Sequence, residues 1–318
     1  MSGVGSPLNV AGILLGVILV GAYLTWLERR LLAIWQDRLG PNRVGPLGLL
    51  QVVADMIKIF MKEDWVPPFS DKPVFILAPA VIMVAVLMGF AVIPFAPGVG
   101  VVDLNIGLLF VLAFTSLTVY SAVLGGYASH NKYALIGSLR AASQTVSYEV
   151  FMGISVMGVV MLSGSFSLRD IVEAQRDGWY CFSQIFGFLV FMVAAVAETH
   201  RTPFDLPEAE HEIVAGFHTE YSGMKFGMFF VGEYLSVLLS SLLAVVLFFG
   251  GWLGPSFLPP LVWLILKTFI FCCLFILLRG ALPRPRYDQL MAFGWKVMLP
   301  VALLNLVLTG AVALMVGA

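Results

Sequence analysis

The stretch KFGMFFVGEYLSVLLSSLLAVVLFFG, residues 225–250, contains only two charged residues, Lys225 at its start and Glu233 within it. A run of about 20 mostly apolar residues is long enough for a helix to cross the hydrocarbon core of a bilayer. Because that core offers no partner for bare backbone groups, a crossing segment of this kind has to be helical. The stretch therefore predicts a transmembrane helix.

Seven further runs of this kind predict an all-α integral membrane protein with eight transmembrane helices. The 318 residues are 60% hydrophobic and their mean hydropathy is +0.95, whereas soluble domains use roughly 45–50% apolar residues. We expect a single membrane domain over residues 1–318. The predicted spans cover about residues 8–27, 74–96, 104–128, 146–165, 181–198, 225–250, 259–279 and 293–316.

The basic residues predict the orientation of the chain. Of the 18 Lys and Arg residues, 15 lie in the loops that follow spans one, three, five and seven or within four residues of those loops. Since cytoplasmic loops carry an excess of Lys and Arg, both termini are expected on the opposite, outer face. The N-terminus, MSGVGSPLNV, lacks a positively charged start, so no cleaved signal peptide is expected. The predicted cytoplasmic loops are about residues 28–73, 129–145, 199–224 and 280–292.

Several kinds of chemistry are disfavoured by what the sequence contains. The net charge is −1, and no basic cluster with interleaved aromatic residues indicates nucleic acid. The four histidines all lie in or near loops, so haem ligation by paired helix histidines is not expected. The sequence has no CxxCH, GxGxxG, P-loop or HExxH pattern, which also disfavours a metal site. Any electron carriers therefore belong to another chain.

Six of the nineteen carboxylates lie in one stretch, ETHRTPFDLPEAEHEIVAGFHTE, residues 198–220, which we name the acidic island. Ionised carboxylates beside hydrocarbon are costly, so the island is either a wet loop or a route for protons into the bilayer. Asp205, Pro207 and Glu208 fit a capping box that begins a short helix. Capping leaves Glu198, Glu210, Glu212 and Glu220 unexplained.

Beyond the acidic island, a further set of ionisable residues lies inside predicted spans. Glu149 is near the start of span four, Glu233 is eight residues into span six, and Lys267 is near the middle of span seven. Charges at such depth tend to face a wet interior and mark ion paths. With the acidic island they predict a polar thread from the cytoplasmic surface into the bundle. The alternative is that Glu233 and Lys267 pair only with each other.

The first cytoplasmic loop is long and carries an amphipathic helix. After the turn GPNRVGP at residues 40–46, a helix is predicted from Leu47 to Lys62. Its polar residues, Gln51, Asp55, Lys58 and Lys62, are spaced 4, 3 and 4 apart and form one stripe. The broad apolar face fits either the lipid headgroup region or a cavity wall at the membrane surface, completed by a soluble partner.

Four stretches together resemble one family, the eight-helix membrane quinone-site subunit of respiratory complex I, the proton-pumping NADH:quinone oxidoreductase. The acidic island, followed by YSG, is the first. The resemblance covers nearly the whole chain. The others are ERRLLAIWQDRLGPNRVGPLGLLQVVADMIKIFMKED at 28–64, NKYALIGSLRAASQTVSYEV at 131–150 and RGALPRPRYDQLMAFGWKVMLP at 279–300.

The resemblance implies a function shared with other subunits. It implies a translocase subunit of a bacterial inner membrane, with quinone as substrate, ubiquinone being the expected type, and no bound prosthetic group. NADH, FMN and iron–sulfur clusters are implied on partner subunits. The implied partners are the soluble quinone-site subunits, the small membrane-arm subunits and the lipid bilayer, with no nucleic acid.

The resemblance also implies roles for individual residues. The quinone passage would be lined or braced by Glu28, Arg29, Arg38, Asp55, Phe230 and Arg279. The acidic funnel that links it to proton pumping in neighbouring subunits would comprise Glu149, Glu198, Asp205, Glu208, Glu210, Glu212, Glu220 and Glu233. From its depth in span seven, Lys267 joins these proton-coupling candidates.

A hypothesis for the coupling follows from these carboxylates. Quinone reduction consumes two protons and briefly makes an anion, and clustered carboxylates titrate as a coupled group that responds to such a charge. Two other classes stay open: a membrane subunit of an ion-translocating hydrogenase, without quinone, and a stand-alone secondary transporter. The complete first-loop motif and RPRYDQ at 284–289 favour the quinone enzyme.

Overall fold

A computed structural model of the chain describes residues 7–207 and 214–316, and every regular element within these ranges is helical. In this described part, seven helical segments are long and apolar enough to cross a membrane. They are α1 (Pro7–Trp35), α3 (Lys72–Phe90), α4 (Gly107–Ala128), α5 (Lys132–Ser163), α9 (Gly223–Phe248), α10 (Pro260–Ala281) and a last segment. That last segment joins α11 (Tyr287–Phe293), a π-helical turn (Gly294–Met298) and α12 (Leu299–Val316).

Shorter helices complete the bundle. α2 (Gln51–Met61) lies where the sequence predicts the amphipathic helix of the first loop. α6 (Leu168–Ala174), α7 (Tyr180–Ser183) and α8 (Ile185–Glu198) lead into the acidic island, and 3₁₀ turns occur at Pro46–Gly48 and Gly216–His218. The short helix expected from Asp205 to Glu208 onward falls mostly on residues 208–213, outside the described residues.

The fifth predicted span, residues 181–198, is interrupted. Gln184, with φ −121° and ψ 42°, separates α7 from α8, and α8 alone has 14 residues. The Gln184 side chain binds α12: its Nε2 donates to Thr309 Oγ1 at 2.8 Å, and its Oε1 accepts from Asn305 Nδ2 at 2.8 Å. A polar side chain satisfied by a neighbouring helix thus lies at the break, and the count of continuous spanning helices in the described ranges is seven rather than eight.

Two helices are longer than their predicted spans. α5 begins at Lys132 and α1 continues to Trp35, although the predicted spans were about 146–165 and 8–27. Asn131 caps α5, since its side chain accepts a hydrogen bond from the Tyr133 N–H at 3.0 Å. Hydropathy marks where a hydrocarbon-compatible segment ends, whereas a helix continues through polar residues until a cap or turn stops it.

The stretch quoted first forms the central helix, α9. It packs against α1, α3, α8 and α10, and twelve consecutive residues from Val237 to Phe248 are buried. In its other half the helix carries Glu233 and Tyr234 toward the end of α8. The fold therefore divides α9 into an apolar half that holds the bundle together and a half that faces charged side chains.

Candidate functional site

The site is centred on Arg201, which follows the end of α8 by three residues. Its guanidinium is buried, with Nη1 3.7 Å from Glu28 Oε2 and Nη2 3.7 Å from Glu233 Oε2. The same guanidinium lies over the Tyr234 ring, 4.2 Å from its centroid. One cation therefore stands between a carboxylate of α1 and a carboxylate of α9.

Glu28 has a second cationic partner. Arg279, near the end of α10, donates from Nη1 to Glu28 Oε1. Glu28, Arg201, Tyr234 and Arg279 line a hollow of about 10 Å³, which we name the inner chamber. This volume is close to that of one water, so the inner chamber of the isolated chain holds no quinone ring. Among the predicted passage residues, Phe230 contacts Tyr234 edge-to-face, with ring centroids 4.9 Å apart.

A ligand-sized hollow adjoins the inner chamber. This apolar crevice, of about 420 Å³, lies between α1, α9 and α10. Leu24 of α1 and Cys272 of α10 line both the crevice and the inner chamber. Ligand pockets commonly measure about 300–1,000 Å³, so the crevice has room for a long apolar group where the inner chamber has none.

On the other side of Arg201 lies a second small hollow, which we name the water-sized cavity. Glu198, Glu233, His200 and His218 line it, together with hydroxyl groups that include Ser236, and its volume is about 20 Å³. A polar hollow of this size has room for a single water molecule. Glu233 therefore faces Arg201 with one oxygen and lines this cavity as well.

The carboxylate row continues from the water-sized cavity into α5. Glu198 lies close to the Thr115 hydroxyl and interacts electrostatically with Glu149. Glu149 in turn accepts a hydrogen bond from Ser116 of α4. The structure thus brings four predicted site residues into one row, in the order Glu28, Glu233, Glu198 and Glu149, with Arg201 between the first two.

The two histidines of the cavity are neutral at pH 7. Burial, together with the neighbouring His218, lowers the pKa of His200 to about 4. Burial also lowers the pKa of His218 to about 4, although the charge of Glu233 acts in the opposite direction. His200 Nε2 lies 3.0 Å from Thr145 Oγ1. Neutral imidazoles can both donate and accept hydrogen bonds, which suits them to a small polar cavity.

The remaining members of the acidic island lie at the margin of the row. Asp205 accepts a hydrogen bond from Arg284 Nη2 at 2.8 Å, and burial raises the pKa of Asp205 despite that cation. Glu220 accepts from Asn131 Nδ2 at 2.8 Å, at the start of α5. Glu208, Glu210 and Glu212 lie outside the described residues.

The first-loop residues divide into two groups. Arg29 Nη1 donates to Asp55 Oδ2 at 2.7 Å and ties α2 to α1. Partial burial raises the pKa of Asp55, but the hydrogen bond and charge of Arg29 outweigh it and leave the pKa below its usual value. Arg38 is exposed and donates from Nε to Gln36 Oε1 at 2.8 Å. The structure therefore places Arg38 on the surface, apart from the inner chamber.

Lys267 does not join the carboxylate row. Its Nζ donates to the carbonyl oxygens of Phe249, Gly251 and Leu253 at 2.7, 3.1 and 2.6 Å. These carbonyls follow the opposite end of α9, about 24 Å along the helix from Glu233. The alternative pairing of Lys267 with Glu233 is not formed, because backbone carbonyls bind this ammonium group, and the proton-coupling role of Lys267 stays a prediction.

Residues that the sequence analysis did not select complete the site. Arg201, Tyr234, His200 and His218 are all in its walls. One signal for Arg201 was available, because it is the only basic residue among the six acids of the island. Among the described residues, no group of three or more His, Cys, Asp or Glu side chains is placed to hold a metal ion.

Comparison with known proteins finds one sequence family and a near full-length relative. Residues 8–310 match the family described as NADH dehydrogenase. The chain is similar to the H-type subunit of the NADH-quinone oxidoreductase of Methylococcus capsulatus (strain ATCC 33009 / NCIMB 11132 / Bath), with 71% identity over 313 residues. The match covers 98% of this chain and 99% of that relative, so the similarity extends over the site and the bundle alike.

Proposed function

The chain belongs to the NADH dehydrogenase family, and from that membership we propose that it is the membrane quinone-site subunit, of the H type, in a proton-translocating NADH:quinone oxidoreductase. In this role it admits quinone from the bilayer and couples quinone reduction to proton pumping in neighbouring subunits. It carries no redox centre itself. NADH, FMN and the iron–sulfur clusters belong to its partner subunits.

We place the quinone tail in the apolar crevice. A quinone is neutral and long-tailed, so its site should be mostly apolar with few polar groups for the carbonyls. The crevice meets the first requirement, and Arg279, which lines the adjoining inner chamber, meets the second. Since the inner chamber holds only about 10 Å³, the quinone ring lies beyond it, beside the half-exposed Arg29 and Arg279. The soluble quinone-site subunits close this space.

The coupling runs through the carboxylate row. Reduction of quinone near Arg279 changes the charge beside Glu28, and Arg201 stands between Glu28 and Glu233. Beyond Glu233, the water-sized cavity leads to Glu198 and Glu149. Carboxylates this close titrate as a coupled group, so one change of charge redistributes protons along the row. Lys267 has no part in this route.

The membrane topology that we propose has eight spans, both termini being periplasmic. The eighth is the interrupted segment Tyr180–Glu198, whose 19 residues reach about 28 Å as a helix, close to the thickness of the hydrocarbon core. α2 then lies at the cytoplasmic surface, where its exposed Ile57, Phe60 and Met61 face lipid or a soluble partner. The location is the bacterial inner membrane.

One observation carries this proposal: the apolar crevice, the inner chamber and the water-sized cavity follow one another. Leu24 and Cys272 are shared by the first two hollows, and the Arg201–Glu233 ion pair joins the last two. A hydrogenase subunit needs the charged row but no ligand-sized crevice beside it. Quinone as substrate therefore accounts for more of the molecule, and ubiquinone is the type we expect.

Separate measurement of electron and proton transfer tests the proposal. Glu233→Gln and Glu220→Gln are introduced into the complex, and membrane vesicles are assayed for NADH oxidation with quinone and for proton uptake. We expect Glu233→Gln to lower the number of protons moved per NADH oxidised, because the row loses the carboxylate that lies between Arg201 and the water-sized cavity, while quinone reduction continues. Full pumping with both substitutions would show that the row has no coupling role.

The matched control is Glu173→Gln. Glu173 lies in α6, is exposed, and pairs with Arg169 at 3.4 Å, remote from the carboxylate row. The same chemical change there should leave both rates unaltered. A wild-type complex that oxidises NADH without any quinone requirement would favour a different enzyme of the same architecture.

A further inference from the structure

The turn that follows α9 holds a positive charge for which the proposed function has no use. Lys267 Nζ donates to the carbonyl oxygens of Phe249, Gly251 and Leu253 at 2.7, 3.1 and 2.6 Å. The Trp179 ring covers the same ammonium group, with its centroid 4.8 Å from Nζ. We name the three carbonyls and the ring together the carbonyl cage.

The backbone of this turn is fixed by hydrogen bonds that do not involve Lys267. Gly250 and Gly251 are left-handed, with φ 68° and 49°, a conformation that other residues rarely adopt. The Gly251 N–H donates to the Val245 carbonyl at 2.9 Å, and the Gly250 N–H donates to Gln175 Oε1 at 2.9 Å. We therefore expect the three carbonyls to converge even when the lysine side chain is removed.

The chemistry of the carbonyl cage suits one positive charge. Carbonyl oxygens at the end of a helix carry the negative end of its dipole, and an aromatic face attracts a cation. An ammonium group has three N–H donors, which match the three carbonyls in number. In ion-selective pores, rings of carbonyl oxygens replace the hydration shell of a cation in the same way. The cage therefore has the features of a cation site.

The carbonyl cage lies near the surface, at the end of the bundle where α10 begins. Lys267 comes seven residues after Pro260, about 10 Å along the helix, and helical side chains point back toward the start of their helix. Lys267 is only 8% exposed, but Trp179, which covers its ammonium group, is 38% exposed. A small ion from solution therefore has a short path past this ring to the carbonyls.

We propose that the carbonyl cage is a binding site for a primary ammonium ion, which this chain fills with the side chain of its own Lys267. Lys267 acts as a tethered ligand that joins α10 to the turn after α9 and to Trp179. Substitution by alanine removes the atoms that make up a propylammonium ion. In Lys267→Ala the cage is open, and it takes free propylammonium from solution.

Rescue of Lys267→Ala by propylammonium tests the site. The half-life of the purified, assembled complex is measured at raised temperature and neutral pH by native gel electrophoresis, with propylammonium chloride or an equal concentration of tetramethylammonium chloride. Propylammonium should lengthen the half-life of the variant by about tenfold at roughly ten times its dissociation constant. The wild-type half-life should not respond, because its cage is filled. Tetramethylammonium carries the charge without an N–H donor and should not protect either chain.

The matched control is Lys267→Met, which removes the same charge but fills the space of the lysine stem, so propylammonium should not protect it. Neutral 1-propanol has the same stem without the charge. Equal protection of Lys267→Ala by 1-propanol or by tetramethylammonium would overturn the inference, as would no protection by propylammonium. Because the measurement follows assembly and uses no quinone or proton transfer, its failure leaves the proposed function untouched.

Lys267→Gln covers the case in which Lys267→Ala does not assemble. Glutamine keeps two N–H donors but has no charge. A cation site predicts that Lys267→Gln assembles no better than Lys267→Met. Assembly of Lys267→Gln at the wild-type level would overturn the inference, since a neutral donor would then suffice for the three carbonyls.

Discussion

Two of the buried cations in the described part of the chain, Arg201 and Lys267, are held in different ways. Lys267 donates to three backbone carbonyls at 2.6 to 3.1 Å and lies over the Trp179 ring, 4.8 Å from its centroid. Arg201 faces two carboxylates, each at 3.7 Å. Both side chains are less than one-tenth exposed. The two side chains are equally buried, but Lys267 binds backbone carbonyls whereas Arg201 is shared by two carboxylates.

The difference between the partners of Lys267 and Arg201 shows how a charge inside a membrane bundle can be interpreted. Taking any charge out of water is costly, and it persists only with compensating partners. A backbone carbonyl cannot change its protonation, so Lys267 has one stable arrangement. A carboxylate can change its protonation, so the charge around Arg201 depends on whether Glu28 and Glu233 carry protons. The partners, rather than the depth, distinguish a structural charge from one that responds to chemistry.

Replacing Lys267 is expected to have the largest effect on stability. Lys267→Met leaves the carbonyls of Phe249, Gly251 and Leu253 without this donor, at a cost on the order of 3 kcal/mol or more for unsatisfied buried acceptors. We expect less assembled complex and a lower temperature of thermal inactivation. The NADH:quinone rate for each assembled complex should stay the same, since Lys267 lies away from the carboxylate row.

Thr268→Val is the control for that experiment, because Thr268 is the next residue and its hydroxyl binds the Leu264 carbonyl of its own helix, at 2.8 Å. Its effect should stay below about 1 kcal/mol. If Lys267→Met assembles normally but loses proton pumping, the purely structural role of Lys267 is contradicted. Lys267 would then resemble Arg201, whose environment depends on protonation.

Replacing Glu28, a carboxylate partner of Arg201, should have the next largest effect, and this effect is on quinone binding. Glu28→Gln removes the charge that binds Arg279 and faces Arg201. Because the two cations then lack their common anion, we expect the KM for quinone to rise by about tenfold, equivalent to about 1.4 kcal/mol. Steady-state kinetics in vesicles measure it. An unchanged KM would separate the inner chamber from the quinone passage.

Much of the fold could be predicted from hydropathy, because transfer into hydrocarbon depends mainly on local composition. The stretch at 225–250 is the central helix α9, and Glu198 of the island lines one cavity together with Glu233. The family resemblance assigned Glu28 and Arg279 to one predicted quinone passage, and in the structure the two side chains form an ion pair.

The parts that could not be predicted depend on partners distant in sequence. The break at Gln184 is matched by Asn305 and Thr309, more than 100 residues away. Lys267 binds carbonyls, which every residue carries and no pattern of side chains reveals. Arg201 was visible as the only base in the acidic island, but its position between Glu28 and Glu233 requires α1 and α9 to be neighbours.

The two histidines beside Glu233, His200 and His218, should make the stability of the fold depend on pH. Folding holds the pKa of His200 and His218 at about 4, below the usual value of about 6.5. Below pH ~6.5 the unfolded chain therefore binds protons that the folded chain does not, and each group lowers stability by up to about 1.4 kcal/mol per pH unit. Stability should fall from pH ~7.5 to ~5.5, and His200→Asn should flatten that slope.

Thermal inactivation at several pH values measures this effect. His200 has φ 49°, a conformation that asparagine tolerates, so the substitution adds little backbone strain. The groups that face the two imidazoles include Thr145, Glu233 and the rings of Phe217, Phe226 and Phe229. His130→Asn is a close control, because His130 has φ 46° and is exposed. An equal change of slope in both variants would refute the assignment.

The smallest effect is expected at the exposed pair of Arg29 and Asp55, which shows what an ion pair contributes when water competes with it. Asp55 accepts from Arg29 at 2.7 Å, but the Arg29 side chain is 47% exposed. Exposed pairs contribute about 0–1 kcal/mol and weaken with salt. Asp55→Asn should therefore speed hydrogen exchange in α2 by about fivefold at most, and less in high salt. Lys58→Ala, which removes a more exposed partner at 3.4 Å, should change it less. A large, salt-independent increase in the hydrogen-exchange rate of α2 with Asp55→Asn would show that this pair behaves like the buried pairs of Arg201 and not like an exposed one.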